Sequence, residues 1–183
     1  LGLLDRSDAE AKDSIDEWKY DADRENQDAK QFMGTTGISH TVSLNDKQFL
    51  KSTLAVTTNG IDMYTKSVDS SFQVTPKNVI NNSFYNLVLT SSLNTKFSAN
   101  HTNKSGFVIT NMHYNMLLEE AATGIPALQT LVNESGSSSL VAAYSNSMVQ
   151  INDQISLNVG LNGQWFTYNN TWSIEPRVGV KYK

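Results

Sequence analysis

The chain of 183 residues contains no cysteine, so it has neither a disulfide framework nor a thiolate metal site. No run approaches the roughly 18 apolar residues of a spanning helix, which excludes a helical membrane protein. A barrel is not excluded, because its strands are only half apolar. The formal net charge of −4 gives no basic footprint for nucleic acid. Leu1 is not followed by a charged n-region, an apolar h-region or a cleavage site. If the protein is exported, the expectation is that this chain is internal to a longer one.

What the chain does have is alternation. From Ile155 the residues Leu157, Val159, Leu161 and Trp165 share one parity, and Ser156, Asn158, Gly160, Asn162 and Gln164 the other. Further on, Trp172, Ile174, Pro176, Val178, Val180 and Tyr182 alternate with Ser173, Glu175, Arg177, Gly179, Lys181 and Lys183. Successive side chains of a strand point to opposite faces, so each segment has one apolar and one polar face. In a soluble sandwich the apolar face is core. In an outer-membrane barrel it meets lipid while the other lines a wet lumen, and aromatics collect at the interfaces. Trp165, Phe166, Tyr168 and Trp172 crowd around Asn169-Asn170, which favours the membrane reading.

Charge is unevenly spread. Leu1 to Gln31 holds ten acidic and five basic residues, a net of −5, which leaves +1 for the remainder. The expected organisation is therefore an acidic polar segment over 1–31, an extracellular loop or a short helix, followed by a β-patterned body over 32–183. Ala9 to Lys19 is a candidate polar helix with Asp8 as N-cap. The acidic stretch Asp13 to Asp28 is a candidate for attracting a cation, with a solvated loop the blander reading.

The body reads as seven strands: Thr35 to Leu44, Phe49 to Thr58, Ser83 to Ser98, Phe107 to Leu118, Leu140 to Ile151, Ile155 to Thr167 and Trp172 to Lys183. Turns fall at Asn45-Asp46-Lys47, Asn100 to Lys104, Asn152-Asp153 and Asn169-Asn170. Met63 to Asn82 and Glu119 to Ser138 read as long connections, so short and long alternate as in outer-membrane barrels. In that topology the long connections lie outside. The row Met112, Tyr114, Met116 and Leu118 is expected to face lipid, and Gly124-Ile125-Pro126 is a loop feature.

Catalytic signals are thin. His40, His101 and His113 show no i, i+2 or i, i+4 pairing of the kind metal sites use. Glu119-Glu120 are adjacent, so on a strand they point apart and cannot act as an acid/base pair. Asn133-Glu-Ser-Gly lacks the nucleophile elbow of a hydrolase. Asn81, Asn100, Asn103, Asn133 and Asn169 begin Asn-x-Ser/Thr triplets, which an Asn- and Ser-rich chain produces by chance.

The stretch Ile151 to Lys183, with its Asn-Asp-Gln turn, the run Ile-Ser-Leu-Asn-Val-Gly-Leu-Asn-Gly-Gln and then Ser-Ile-Glu-Pro-Arg-Val-Gly-Val-Lys-Tyr, resembles barrel hairpins of Bacteroidetes-type TonB-dependent outer-membrane receptors. Thr35 to Val56 is similar to an earlier hairpin of the same barrels. The resemblance implies an all-β fold, an antiparallel transmembrane β-barrel segment of about seven strands within a plugged barrel of roughly 22. The chain carries no plug domain, no energy-coupling box and no terminal strand with a C-terminal aromatic. The expectation is therefore roughly a third of a barrel.

By the same resemblance the whole protein binds and imports a nutrient ligand in the bacterial outer membrane. Its partners would be outer-membrane lipid, the remainder of the barrel and plug, and the TonB energy-coupling protein reached through the plug. No cofactor or enzymatic activity is expected. Asn158, Asn162, Gln164, Glu175, Arg177 and Lys181 would line the lumen. Leu157, Val159, Leu161, Trp165, Trp172, Ile174, Val178, Val180 and Tyr182 would face lipid. The alternative is a soluble all-β binding module, such as a carbohydrate-binding sandwich, with the same apolar faces turned into a core.

Overall fold

A computed structural model of the chain describes residues 1–122, 125 and 127–182. Eight antiparallel strands form one sheet in the order of the chain: β1 Gly2–Ala9, β2 Glu25–Asn45, β3 Gln48–Val68, β4 Val74–Ser98, β5 His101–Ala121, β6 Leu128–Gln150, β7 Ile155–Phe166 and β8 Thr171–Tyr182. The sheet is open, with β1 and β8 at its edges. The all-β, antiparallel expectation is met, with eight strands where seven were expected.

The additional strand lies in the acidic segment. β1 pairs with β2 from Gly2↔Gly34 to Ala9↔Gln27, so within the acidic segment residues 2–9 and 25–31 are strand, and only 10–24 form a connection. In place of the helix expected over Ala9 to Lys19 there are two 3-10 turns, Ile15–Glu17 and Asp21–Arg24. Ala9 to Lys19 has too few apolar residues for a helix to bury a stripe. Pairing with β2 gives the backbone groups of Gly2–Ala9 partners at once.

The long connections are also corrected. β3 runs on to Val68 and β4 starts at Val74, while β5 reaches Ala121 and β6 starts at Leu128. Every connection from β2 onward is therefore six residues or fewer, and the expected alternation survives only in reduced form, as two, five, two and six residues from β2 to β6 and then four and four. The added strand residues include Ile61, Tyr64, Thr65, Val68, Val79 and Ile80, whose β preference comes from fitting a pleated surface and needs no apolar stripe. Pro76 is the third residue of β4, near a strand end where a missing N–H costs little. Of the Gly124-Ile125-Pro126 feature, Gly124 and Pro126 lie outside the described residues, as does Lys183.

Short polar side chains close the turns by mimicking backbone. Asn45 Oδ1 accepts from the Lys47 N–H at 2.9 Å, and Asn152 Oδ1 from the N–H groups of Gln154 and Ile155 at 2.9 and 2.8 Å. Asp69 carries the β3–β4 turn, accepting from Ser71 and Gln73 at 2.8 and 2.9 Å, with Phe72 in the left-handed region at φ 60. Asn169 Oδ1 accepts from the Thr171 hydroxyl at 2.7 Å, and Asn170 takes φ 54.

Contacts divide the chain into two units. The first comprises Leu1–Thr35, Thr57–Tyr85 and His113–Gly136. Here the excursion between β1 and β2 folds on itself and over the next turn. The Asp23 carboxylate accepts from the N–H groups of Lys19 and Tyr20 at 2.8 and 2.9 Å and pairs with Lys12 at 2.8 Å. The Trp18 ring meets Phe72 edge-on at 6.0 Å. The second unit comprises Thr36–Val56, Asn86–Met112 and Ser137–Lys183, and holds the β7–β8 hairpin.

There is no second sheet or α-helix among the described residues to form another layer. Among the described residues the only buried hydrophobic side chains are Ala29 and Val68. A soluble domain packs two layers around a core, whereas here the apolar rows are bare: Trp172 is 74% exposed, Val178 73% and Val180 69%.

Candidate functional site

Register decides whether alternating strands make a face. In β7–β8 the pairs are Ile155↔Tyr182, Leu157↔Val180, Val159↔Val178, Leu161↔Pro176, Gly163↔Ile174 and Trp165↔Trp172. Every apolar residue of this row meets an apolar residue or glycine of the other strand, while Phe166, at the end of β7, has the opposite parity and meets Thr171. The intervening pairs include Ser156↔Lys181, Asn158↔Gly179, Gly160↔Arg177, Asn162↔Glu175 and Gln164↔Ser173. A slip of one residue would have scrambled both faces. All nine residues expected to face lipid thus share one face, and all six expected to line a lumen share the other.

The polar face is indented. A cavity of about 520 Å³ is lined by Asn158, Asn162, Gln164 and Arg177 together with Lys104 and Tyr144. Four of the six expected wall residues therefore come together. Glu175 sits beside them, accepting from the Arg177 guanidinium at 2.9 Å. Lys181 lines a separate cavity of about 260 Å³ with Asn152 and Ser156. The exposed Glu175–Arg177 pair contributes little stability, but it fixes both charged groups on one wall.

Lys104 and Tyr144 were not anticipated. Lys104 reads in the sequence as part of a turn, whereas β5 already begins at His101. Tyr144 pairs with Asn162. A cross-strand register of this kind has no signature in one sequence.

The same geometry corrects the expectation for Met112. A Cβ on Gly106 would lie 2.9 Å from the Tyr144 hydroxyl, so Gly106 shares the face of Tyr144 and Asn162. Met112 has the parity of Gly106 and falls on that polar face, not beside Leu161. Of the same row, Tyr114 lies across Gly136, its ring atoms 2.7–2.8 Å from where a Cβ would stand. Parity tells which residues of one strand go together; only the neighbouring strand says to which face.

The apolar face also has a polar inset. Ser145 and Ser147 of β6 pair with Leu161 and Val159. They are tied to β5: Asn103 donates to Ser145 and Ser147 at 3.1 and 2.9 Å, Ser105 bonds Asn103 at 2.7 Å, and His101 Nε2 lies 3.3 Å from Ser147. These groups satisfy one another, which is what polar side chains on an apolar face require.

The remaining histidine and carboxylate candidates stay apart. The His113 ring stacks on Tyr85 at 4.4 Å, and Glu119 accepts from the Thr130 hydroxyl at 3.0 Å. No group of three His, Cys, Asp or Glu able to hold a metal is found among the described residues. The acidic residues Asp8 and Asp28 oppose each other directly, and Arg6 bridges them at 3.4 and 3.1 Å.

Compared with protein-family models and with curated proteins, the chain matches none.

Proposed function

We propose that this chain is part of a transmembrane β-barrel of the bacterial outer membrane, belonging to a TonB-dependent receptor that binds and imports a nutrient ligand. The observation that carries the reading is the β7–β8 register, which puts six apolar pair positions on one exposed face and the polar pairs on the other. Ile155 to Trp165 spans about 34 Å along a strand. Tilted by about 40°, as barrel strands are, this gives a band of about 26 Å, close to the roughly 25 Å apolar height of such barrels. Trp165↔Trp172 marks one border and Tyr182 the other, where aromatic girdles belong.

Two further features support the reading. A polar wall carrying Asn158, Asn162, Gln164 and Arg177 suits a hydrated lumen. The exposed apolar rows far exceed the small patches soluble monomers leave bare, so they need a covering, and lipid supplies one. The ligand would be taken up by polar groups of this wall, with the plug of the receptor gating passage and the energy-coupling protein acting on that plug. None of these steps calls for a catalytic residue.

Fractionation is the test. The protein should sediment with outer membranes and come into solution only with detergent; recovery as a soluble monomer would sink the proposal. Topology provides a second check. In an up-and-down sheet successive connections alternate sides, so an epitope at Ser70 should be detected on intact cells and one at Asp46 or Asp153 only after permeabilisation. The other long connection expected to lie outside included Ser137, which is within β6 and unsuited to insertion. Labelling at both Ser70 and Asp46 on intact cells would discard the membrane barrel.

A further inference from the structure

Basic side chains are treated differently in the two units. In the first, Arg6, Lys12, Arg24 and Lys77 are each held by a carboxylate. In the second, among the described residues, Lys47, Lys51, Lys96, Lys104, Arg177 and Lys181 stand against Asp46, Asp153 and Glu175, and of these cations only Arg177 is ion-paired. Three of the unpaired lysines, Lys47, Lys96 and Lys104, line one cavity of about 510 Å³ together with Asn94, Asn146 and a single carboxylate, Asp46.

Backbone pairing forces two of these charges together. The Lys96 N–H donates to the Lys47 carbonyl at 2.8 Å, which makes Lys47, in the turn before β3, and Lys96 of β4 cross-strand neighbours. Like charges set opposite each other repel, and neither ammonium has a carboxylate to relieve it. Lys104 of β5 also lines the cavity that holds Asn158, Asn162 and Arg177, so these lysines continue the same polar wall. An anion among the three ammonium groups would replace repulsion by charge-assisted hydrogen bonds.

The lining selects the anion. Planar carboxylates are matched best by the fork of arginine, whereas ammonium groups act as point charges and suit phosphate oxygens that point in several directions. The Asn94 and Asn146 carboxamides add N–H donors for oxygens the lysines leave free. Three lysines against one carboxylate call for more than one negative charge, and the volume is in the range of small-molecule sites. We infer that this part of the wall binds a soluble phosphate-bearing anion of at least two negative charges, with Lys96 and Lys104 as its principal partners and Lys47 as the third. The inference goes beyond the import reading, since it stands on the cavity and its lysines alone.

The test is calorimetry on the protein purified in detergent, at an ionic strength of about 0.15 M, with inorganic tripolyphosphate and separately with citrate. Tripolyphosphate should bind, and citrate about tenfold more weakly or not at all. Lys96→Gln and Lys104→Gln should each weaken tripolyphosphate about tenfold, and Lys47→Gln gives a third reading if either variant fails to fold. Lys30→Gln, which removes the same charge from an exposed position of β2, should leave binding unchanged. Absence of tripolyphosphate binding, equal affinity for citrate, or equal weakening by Lys30→Gln would overturn the inference. Phosphatidate added to the micelles should not displace tripolyphosphate, because the polar wall is the face opposite the apolar row; displacement would make this a lipid-headgroup site and overturn the assignment to a soluble anion. Extraction without detergent accompanied by tripolyphosphate binding would refute the barrel and leave the site standing; the reverse result would refute the site alone.

Discussion

The β1–β2 and β7–β8 pairs are both antiparallel and in continuous register, yet they are opposite in chemistry. β7–β8 sorts its residues into an apolar and a polar face without exception over the six apolar pair positions. β1–β2 sets Leu4 against Phe32 but also Arg6 against Lys30 and Asp8 against Asp28 on the same parity. Backbone pairing is therefore indifferent to the medium, and the side chains alone declare which medium a face requires. The first pair carries charged or polar side chains on both faces, the second on one.

Arginine scanning should break the comparison most sharply. Val178→Arg or Val159→Arg should cost about 2–4 kcal/mol near the bilayer midplane and abolish assembly, measured as heat-modifiable barrel on gels. Leu157→Arg belongs to the same class. Asn158→Arg and Asn162→Arg should assemble normally, and Leu4→Arg in β1 should be mild. Equal damage at Val178 and Asn158 would mean both faces are buried.

Arg6→Ala should come next. It leaves Asp8 and Asp28 facing each other without the bridging guanidinium, and like charges directly opposite cost about 0.2–1 kcal/mol. The loss should shrink in high salt and be reversed by Asp28→Asn, as read from the denaturation midpoint. The corresponding change in β8, Glu175→Gln, should shift stability by less than about 0.5 kcal/mol, because the Arg177 pair is exposed.

A smaller and local effect is expected in the excursion between β1 and β2. The Lys12 ammonium and the N–H groups of Tyr20 and Lys19 hold the Asp23 carboxyl at about 2, down from 3.8. A carboxyl held low in the folded state adds stability that is present above its unfolded value and lost as pH falls through its folded value. The excursion should thus be intact above pH 4 and loosen between about pH 4 and 2. Trp18 reports on this directly, since its indole donates to the Lys12 carbonyl at 2.9 Å and its ring meets Phe72. Asp23→Asn should remove the pH dependence of its fluorescence.

Much of this was written along the chain. Period-two alternation set the strand character of Ile155 to Tyr182 and the sharing of faces within each strand, because side-chain direction is a property of local backbone geometry. The tight turns were equally legible, since Asn45 and Asn152 act on their own neighbours. By contrast, strand ends in the polar stretches were hidden: Thr65 and Ser67 carry no amphipathic pattern, and only pairing shows that β3 continues to Val68. β1 was hidden for the same reason, its acidic residues resembling a solvated loop until β2 supplies partners for their backbone. The tertiary structure alone decided that Met112 shares a face with Asn162, that Lys104 and Tyr144 join the polar wall, and that Asn82 and Asp5 line one cavity. Each depends on register between strands, which is fixed by hydrogen bonds between residues far apart in sequence and leaves no periodic trace in any one of them.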